Sequence, residues 1–204
     1  MAESSMTLED IRSVYGEVSG LARDKVQPRL DMHARAFIAR SPFVVLGTAD
    51  AEGRQDVSPR GDPPGFAKVL DDRTLALPDR PGNRRIDSIG NIASQPNVSL
   101  LFMIPGFDDT LRVNGKARFS HEPQLMQALA VDGRPAVGAL LITVDEVFMH
   151  CAKAFIRSRL WDPASRQDRK QFPSLGRIIA DQIAGVDADD ADEKIDENYR
   201  TELY

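Results

Sequence analysis

Between Thr110 and Ser120 apolar and polar residues alternate without a break. Leu111, Val113, Gly115, Ala117 and Phe119 fall on one side, and Arg112, Asn114, Lys116 and Arg118 on the other. A repeat of this kind fits an extended chain, so the segment is predicted to be a strand with one buried face and one wet face. It follows Val98 to Ile104 (VSLLFMI), a continuous apolar run predicted to be a strand buried on both faces. Two such strands need further strands to pair with.

Candidates lie on both sides. Phe43 to Ala49 reads as a strand, Asp50 to Gly53 as a hairpin turn, and Arg54 to Arg60 as the return strand. Thr74 to Leu77 is another short strand, and Ala136 to Cys151 holds one or two more. Helices are predicted around them. Thr7 and Asp10 make a capping box ahead of Leu8, Ile11, Tyr15 and Val18, which share a helical face. A second helix fits Leu30 to Arg40 and stops at Ser41-Pro42. Further helices fit Arg84 to Ala93, Pro123 to Ala130 and Ser174 to Ala184.

About six short strands joined by hairpins, with helices flanking them, predict a mainly β fold. The expected form is a six-stranded antiparallel barrel. The regular strand–helix alternation of a doubly wound parallel sheet is missing. No boundary divides the chain, so residues 1–204 read as one domain. N-terminal helices occupy about 7–40, and a C-terminal helix plus acidic tail about 174–204.

Composition narrows the function. Residues 186–204 hold eight Asp or Glu against two Lys or Arg, so the net charge of −5 sits in the tail and the rest of the chain is +1. The body can therefore carry basic pockets, while the tail is expected to be solvated. Cys151 is the only cysteine, which excludes an intramolecular disulfide, a Cys-rich zinc site and an iron–sulfur cluster. It reads as a buried strand residue. His33, His121 and His150 are too far apart to suggest a metal-ligand set. Residues 1–16 lack the basic-then-apolar pattern of a leader, and no apolar run approaches spanning length, so a cytoplasmic protein without membrane contact is expected. Walker, dinucleotide-fingerprint, zincin and serine-hydrolase motifs are absent. The strands lack the interleaved exposed aromatics that a nucleic-acid-binding barrel uses.

Three clusters could carry chemistry. Ser58-Pro59-Arg60-Gly61-Asp62 ends a strand with a guanidinium and free amides, and Gly61 lets a planar ligand approach the backbone. Leu77-Pro78-Asp79-Arg80-Pro81-Gly82-Asn83-Arg84-Arg85 crowds three arginines beside a predicted helix start. Alone, each is equally a proline turn or a solvated loop. Together they favour a phosphate-bearing ligand, because guanidinium groups and a helix N-terminus both stabilise a dianion. The third cluster runs from His150 through Lys153 and Arg157-Ser158-Arg159-Leu160-Trp161. Its tryptophan and arginines suit contact with a conjugated ring, and they equally suit a core tryptophan with solvated neighbours.

In their order, SPRG, LPDRPGNRRIDSIGNI, QPNVSLLF and LRVNGKARFS resemble the FMN-binding split barrel of the pyridoxamine 5′-phosphate oxidase superfamily. RAFIARSPFVVLGTAD and VFMHCAKAFIRSRLWDP make the chain most similar to the subgroup known only as FMN-dependent enzymes of that class. The resemblance spans roughly residues 30 to 185. It implies a homodimer with FMN at the subunit interface. Arg60, Gly61 and Asp62 match the strand that contacts flavin and phosphate. Pro78 and Asp79 match a cofactor-contacting pair. Asn83, Arg84 and Arg85 match the phosphate-binding segment, with arginine for lysine, and a family glutamine falls at Thr110. The family's Arg-Leu-His-Asp-Arg segment is replaced by Arg157-Ser158-Arg159-Leu160-Trp161, without its histidine, which argues against oxidation of pyridoxamine phosphate itself. The expected function is an FMN-dependent oxidoreductase acting on an unknown small substrate. No side chain is assigned as general acid or base. Lys153, Arg157 or Arg159 is expected to stabilise the reduced anionic ring. The alternatives are a non-catalytic flavin-binding or sensing protein, and a split barrel holding haem or a deazaflavin.

Overall fold

The computed structural model describes residues 6–204; residues 1–5, where the segment read as lacking a leader begins, lie outside them. Seven strands form one antiparallel sheet: β1 (Phe43–Ala49), β2 (Gln55–Gly61), β3 (Lys68–Val69), β4 (Thr74–Asp79), β5 (Asn97–Met103), β6 (Thr110–Ser120) and β7 (Gly138–His150). Their order is β2-β1-β5-β6-β7-β4-β3, and side chains of β2 and β4 meet although four strands separate them. This is the mainly β split-barrel class with flanking helices, as expected, but with seven strands rather than six. The extra strand, β3, has two residues and pairs with Leu75 and Ala76 of β4. A strand that short shows no alternation in sequence.

β1 matches its predicted bounds. Its inward residues Val44 and Leu46 join Leu75, Leu77, Leu100, Phe102, Leu111, Val113, Ile142 and Val144 in a fully buried interior. Burying each such side chain is worth about 1.5–3 kcal/mol, which is what holds the sheet curled. Helix α3 (Met32–Ile38), capped by Asp31 accepting from the Ala34 N–H, adds Ala34, Phe37 and Ile38 to that core.

β5 corrects one expectation. It is buried on one face only: Val98, Leu100 and Phe102 point inward, while Ser99 is exposed and Leu101 and Met103 are half-buried. Its outer face aligns Leu101 with Val45, and Met103 with Phe43, and Leu101 and Met103 both stay only half-buried. A continuous apolar run marks both faces as apolar, but cannot say what covers the second. In β6 the alternation holds from Leu111 to Ala117 and then fails, because Phe119 is exposed. The Phe119 ring stands where Gly138 leaves room, since a Cβ there would lie 2.4 Å from it. A bulge shifts the β6–β7 register between Asn114 and Gly115.

Helix α1 (Leu8–Tyr15) begins with the expected capping box, Thr7 N–H donating to Asp10 Oδ2 at 2.8 Å and Asp10 N–H to Thr7 Oγ1 at 3.2 Å. Its apolar face, Leu8, Ile11 and Tyr15, is exposed, and Val18 lies beyond the helix. A short α2 (Gly20–Asp24) follows, capped by Ser19 accepting from the Ala22 N–H. Helix α4 (Asp87–Ser94) starts three residues later than expected. Arg84 and Ile86 adopt φ of +60° and +51°, so the backbone there is left-handed and Asn83–Arg85 is loop. Helix α5 (Pro123–Ala128) precedes β7. Cys151 is exposed rather than buried, because β7 ends at His150 and the chain turns there into α6 (Lys153–Ser158).

The acidic tail is helical. It forms α8 (Ala188–Thr201), which packs on α7 (Leu175–Gln182). Asp187 caps α8, and Asp189 and Asp190 occupy its first turn, where negative charge suits the helix dipole. The Gly176 N–H donates to Asp192 Oδ1 at 2.7 Å, and a Cβ at Gly176 would meet Ala188 O at 2.5 Å. Among the described residues no helix is long and apolar enough to cross a membrane.

Candidate functional site

Where β2 and β4 approach each other, no strand-to-strand ladder joins them, and side chains do the work. Arg60 of β2 is ion-paired with Asp79 of β4. Arg80 Nε donates to Asp62 Oδ2 at 2.7 Å, and its Nη2 to the Leu129 carbonyl at 2.8 Å. Asp62 is almost wholly enclosed, its side chain 2% exposed. These pairs are partly desolvated, so each partner depends on the other.

Two adjoining clefts open along this seam. The larger, of about 500 Å³, lies between β2 and the loop from Asp79 to α4. The second, of about 380 Å³, shares Ser58, Arg60, Arg80 and Asn83 with it. Arg84 and Arg85 line the larger cleft, and Gly61, Asp62 and Pro78 the smaller. The seam therefore brings together Ser58, Arg60, Gly61, Asp62, Pro78, Asp79, Arg80, Asn83, Arg84 and Arg85. Those clusters lie apart in sequence, and the β2–β4 approach joins them.

Thr110, Arg157, Arg159 and Trp161 line neither cleft. Thr110 is buried at the start of β6, opposite His150. Arg159 is paired with Asp162. Trp161 stacks on Phe155 with ring centroids 5.8 Å apart, and its Nε1–H donates to the Phe107 carbonyl at 2.7 Å. Arg157 is exposed on α6.

Charge in the clefts is more balanced than the arginines alone suggest. Arg60, Arg80, Arg84 and Arg85 face Asp56, Asp62, Asp79, Asp87 and Glu202. Most of these charges are spoken for. Arg85 Nε donates to Asp87 Oδ2 at 2.8 Å, which holds its guanidinium more firmly protonated than usual. Ser88 Oγ donates to Asp56 Oδ2 at 2.8 Å. Arg84 makes no ion pair among the described residues. Two donors remain buried without an acceptor, Arg60 Nε and Arg80 Nη1. A buried, unmatched guanidinium N–H is costly, and it suits a ligand oxygen. Apolar Val57, Pro59, Ile89 and Val137 complete the wall of the larger cleft.

Sequence reasoning missed Asp56, Asp87 and Ser88, which counterbalance the arginines, and Glu202 and Tyr204. Asp87 had a local signal, two residues after Arg85. Tyr204 had none. It arrives from the end of α8, donates from Oη to Asp62 Oδ1 at 2.8 Å, and stacks under the Arg80 guanidinium at 5.7 Å. The bond to Asp62 raises its hydroxyl above the ordinary tyrosine range.

A separate basic patch lies at the far end of β7. Lys25 and Arg112 both sit over the Phe148 ring, at 5.5 and 5.4 Å, beside His150. Burial, then the charges of Arg112 and Lys25, hold the His150 imidazole below its usual range.

The family model described as pyridoxamine 5′-phosphate oxidase matches residues 30–151. No curated protein matches the chain. Among solved structures, HupZ of Group A Streptococcus is 16% identical with a TM-score of 0.48, covering 58% of this chain and 92% of its own. An FMN-binding protein from Syntrophomonas wolfei is 15% identical with a TM-score of 0.48, covering 71% and 97%. HutZ, the haem storage protein of Vibrio cholerae, is 14% identical with a TM-score of 0.40, covering 59% and 94%.

Proposed function

The chain belongs to the pyridoxamine 5′-phosphate oxidase family, and from that premise we propose that the paired clefts bind FMN and that the protein is a flavin-dependent oxidoreductase for a small substrate. The observation that carries this reading is the pair of buried donors without acceptors, Arg60 Nε and Arg80 Nη1, at the seam between β2 and β4. Exposed Arg84 and Arg85 would hold the phosphate, with Asn83 beside them. Arg60, Gly61 and Asp62 would meet the ring edge and ribityl chain, with Ser58, Pro78 and Asp79 alongside. Val57, Pro59 and Ile89 would exclude water from one side. Bound FMN supplies the electron transfer, and the protein supplies binding, orientation and tuning.

The same reading makes the protein a homodimer and treats residues 1–204 as one domain. Phe43, Val45, Leu101 and Met103 form an apolar strip on the outer face of the sheet, and Val57 and Pro59 connect it to the larger cleft. A second copy on that strip would cover the cofactor. Lys153, Arg157, Arg159 and Trp161 would then be candidates to reach the ring from the partner copy, whereas Thr110 is buried within its own copy. Single Ala variants of Lys153, Arg157 and Arg159 test this through the FMN reduction potential, and no shift in any of them removes their role. A free, exposed Cys151 suits a cytoplasmic location, where thiols stay reduced.

The purified protein should be yellow, or become yellow on adding FMN, and should quench flavin fluorescence. A colourless protein that takes up no FMN overturns the reading. Haem is disfavoured at this site, because among the described residues no histidine, cysteine, methionine or tyrosine lines either cleft. A Soret band in place of the flavin bands would reverse that preference, and the spectrum of a deazaflavin is distinct from both.

A further inference from the structure

The α7–α8 hairpin is held to the barrel at one place. Among the described residues, the hydrogen bonds that join residues 174–204 to the barrel are Tyr204 Oη to Asp62 Oδ1, at 2.8 Å, and Arg134 Nη1 to the Tyr204 carbonyl, at 3.3 Å. The hairpin buries little besides Gly176, and leaves Leu175, Ile183, Tyr199 and Leu203 exposed. Segments with so few buried contacts open at low cost. Yet this weakly held element is anchored on Asp62, whose carboxylate also neutralises Arg80.

Its second feature is charge. Glu202 forms part of the wall of the larger cleft, with its carboxylate oriented by Asn198 Nδ2 at 2.7 Å. Among the described residues, it is the one carboxylate lining the larger cleft that comes from outside the β2 strand and the β4–α4 segment. With it, five carboxylates face four arginines across the two clefts; without it the charges balance. An incoming phosphate is opposed by that extra charge. Tyr204 meanwhile stacks on Arg80 and uses a carboxylate oxygen of its partner.

We propose that residues 202–204 are an autoinhibitory strap, which occupies the mouth of the anion cleft and must lift, with the α7–α8 hairpin, for a phosphate-bearing ligand to bind. This rests on the reading of the clefts as an anion site. The strap and the ligand are competitors, so loosening one strengthens the other by the same factor. Tyr204→Phe removes the bond to Asp62 and keeps the ring. Glu202→Gln removes the charge and keeps the shape. A chain stopped after Thr201 removes the strap.

The full chain and the three variants are titrated with two probes, FMN by fluorescence quenching and inorganic pyrophosphate by calorimetry. Hydrogen exchange of α8 is followed with and without each probe. The strap predicts binding tighter by roughly tenfold in Tyr204→Phe and in the shortened chain, and by a smaller factor in Glu202→Gln. It also predicts faster exchange in α8 when either probe binds the full chain. Equal or weaker binding in the shortened chain, or slower exchange in α8, overturns it, since a lid that closes on its ligand behaves that way. If pyrophosphate binds more tightly to the variants while FMN binds to none, the strap stands and the flavin reading falls. If FMN binds all four forms equally, the flavin reading stands and the strap falls. Binding of neither probe to any form overturns both.

Discussion

Arg60 and Asp79 are ion-paired across the seam of the barrel, on strands that have β1, β5, β6 and β7 between them in the sheet order. Their side chains are 21% and 18% exposed, so the pair is desolvated enough to matter. It fastens the edge strand β2 to β4, the strand next to the opposite edge, at the place where the clefts open. The same guanidinium that makes this fastening keeps its buried Nε without an acceptor.

Removing one partner should cost more than removing both. Arg60→Ala leaves Asp79 without its cation and should lower stability by about 1–3 kcal/mol. Arg60→Ala with Asp79→Ala should cost less than the sum of the single changes. Urea unfolding of the two single variants and the double variant measures the coupling; strict additivity removes the pair from the account of the seam.

The two exposed arginines should be unequal. Arg85 already serves Asp87, whereas Arg84 makes no ion pair among the described residues. Arg84→Ala should therefore weaken FMN by about tenfold and Arg85→Ala by less, with riboflavin binding unchanged in both. Riboflavin affected as strongly as FMN would mean that neither side chain meets the phosphate.

Stability should depend on pH through His150. Its folded pKa lies below the ordinary imidazole value of 6.5, so the unfolded chain takes up the proton first. Stability from the neutral imidazole is fully present above about pH 6.5 and is lost as the pH falls from there toward the lower folded pKa. Urea midpoints measured across that window should fall in the native protein, and should fall less in His150→Gln. Parallel curves would place the pH dependence on other groups.

Two glycines should behave oppositely. A Cβ on Gly115 would lie 2.1 Å from the Thr143 carbonyl oxygen, at the bulge between β6 and β7. Gly115→Ala should cost about 3 kcal/mol or more, or prevent folding. Gly82 has nothing within 4 Å of its Cβ position, so Gly82→Ala should unfold at nearly the native temperature. Thermal unfolding of the two variants makes the comparison.

How much of this could be read from the residues depends on how far apart the interacting groups lie. β1 and the Asp50–Gly53 turn rest on local signals and were legible to the residue. The crowding of Arg80, Arg84 and Arg85 was legible because they lie together in the chain, and all three line the clefts. The start of α4 was not, since a propensity argument does not anticipate left-handed backbone at Arg84 and Ile86. The outer face of β5 misled for a different reason: apolar side chains at Leu101 and Met103 say that something covers them, without saying that it belongs to this chain. Asp62 and Tyr204 could not be paired by any local rule, being 142 residues apart.

The connectivity of the sheet also sets an order of assembly. The β1–β2 hairpin closes over the five residues from Asp50 to Arg54 and can form as soon as it leaves the ribosome. β4 has no such neighbour. Apart from the two residues of β3, its partner is β7, so Thr74 must wait for Thr143 and Asp79 for Gly138. Until then Leu75 and Leu77, both wholly interior in the finished barrel, belong to a nascent edge with no more than the two residues of β3 beside it. The half-made chain is thus most prone to aggregate while β5 and β6 are being synthesised, and closure of the barrel should be the slow, late step of folding.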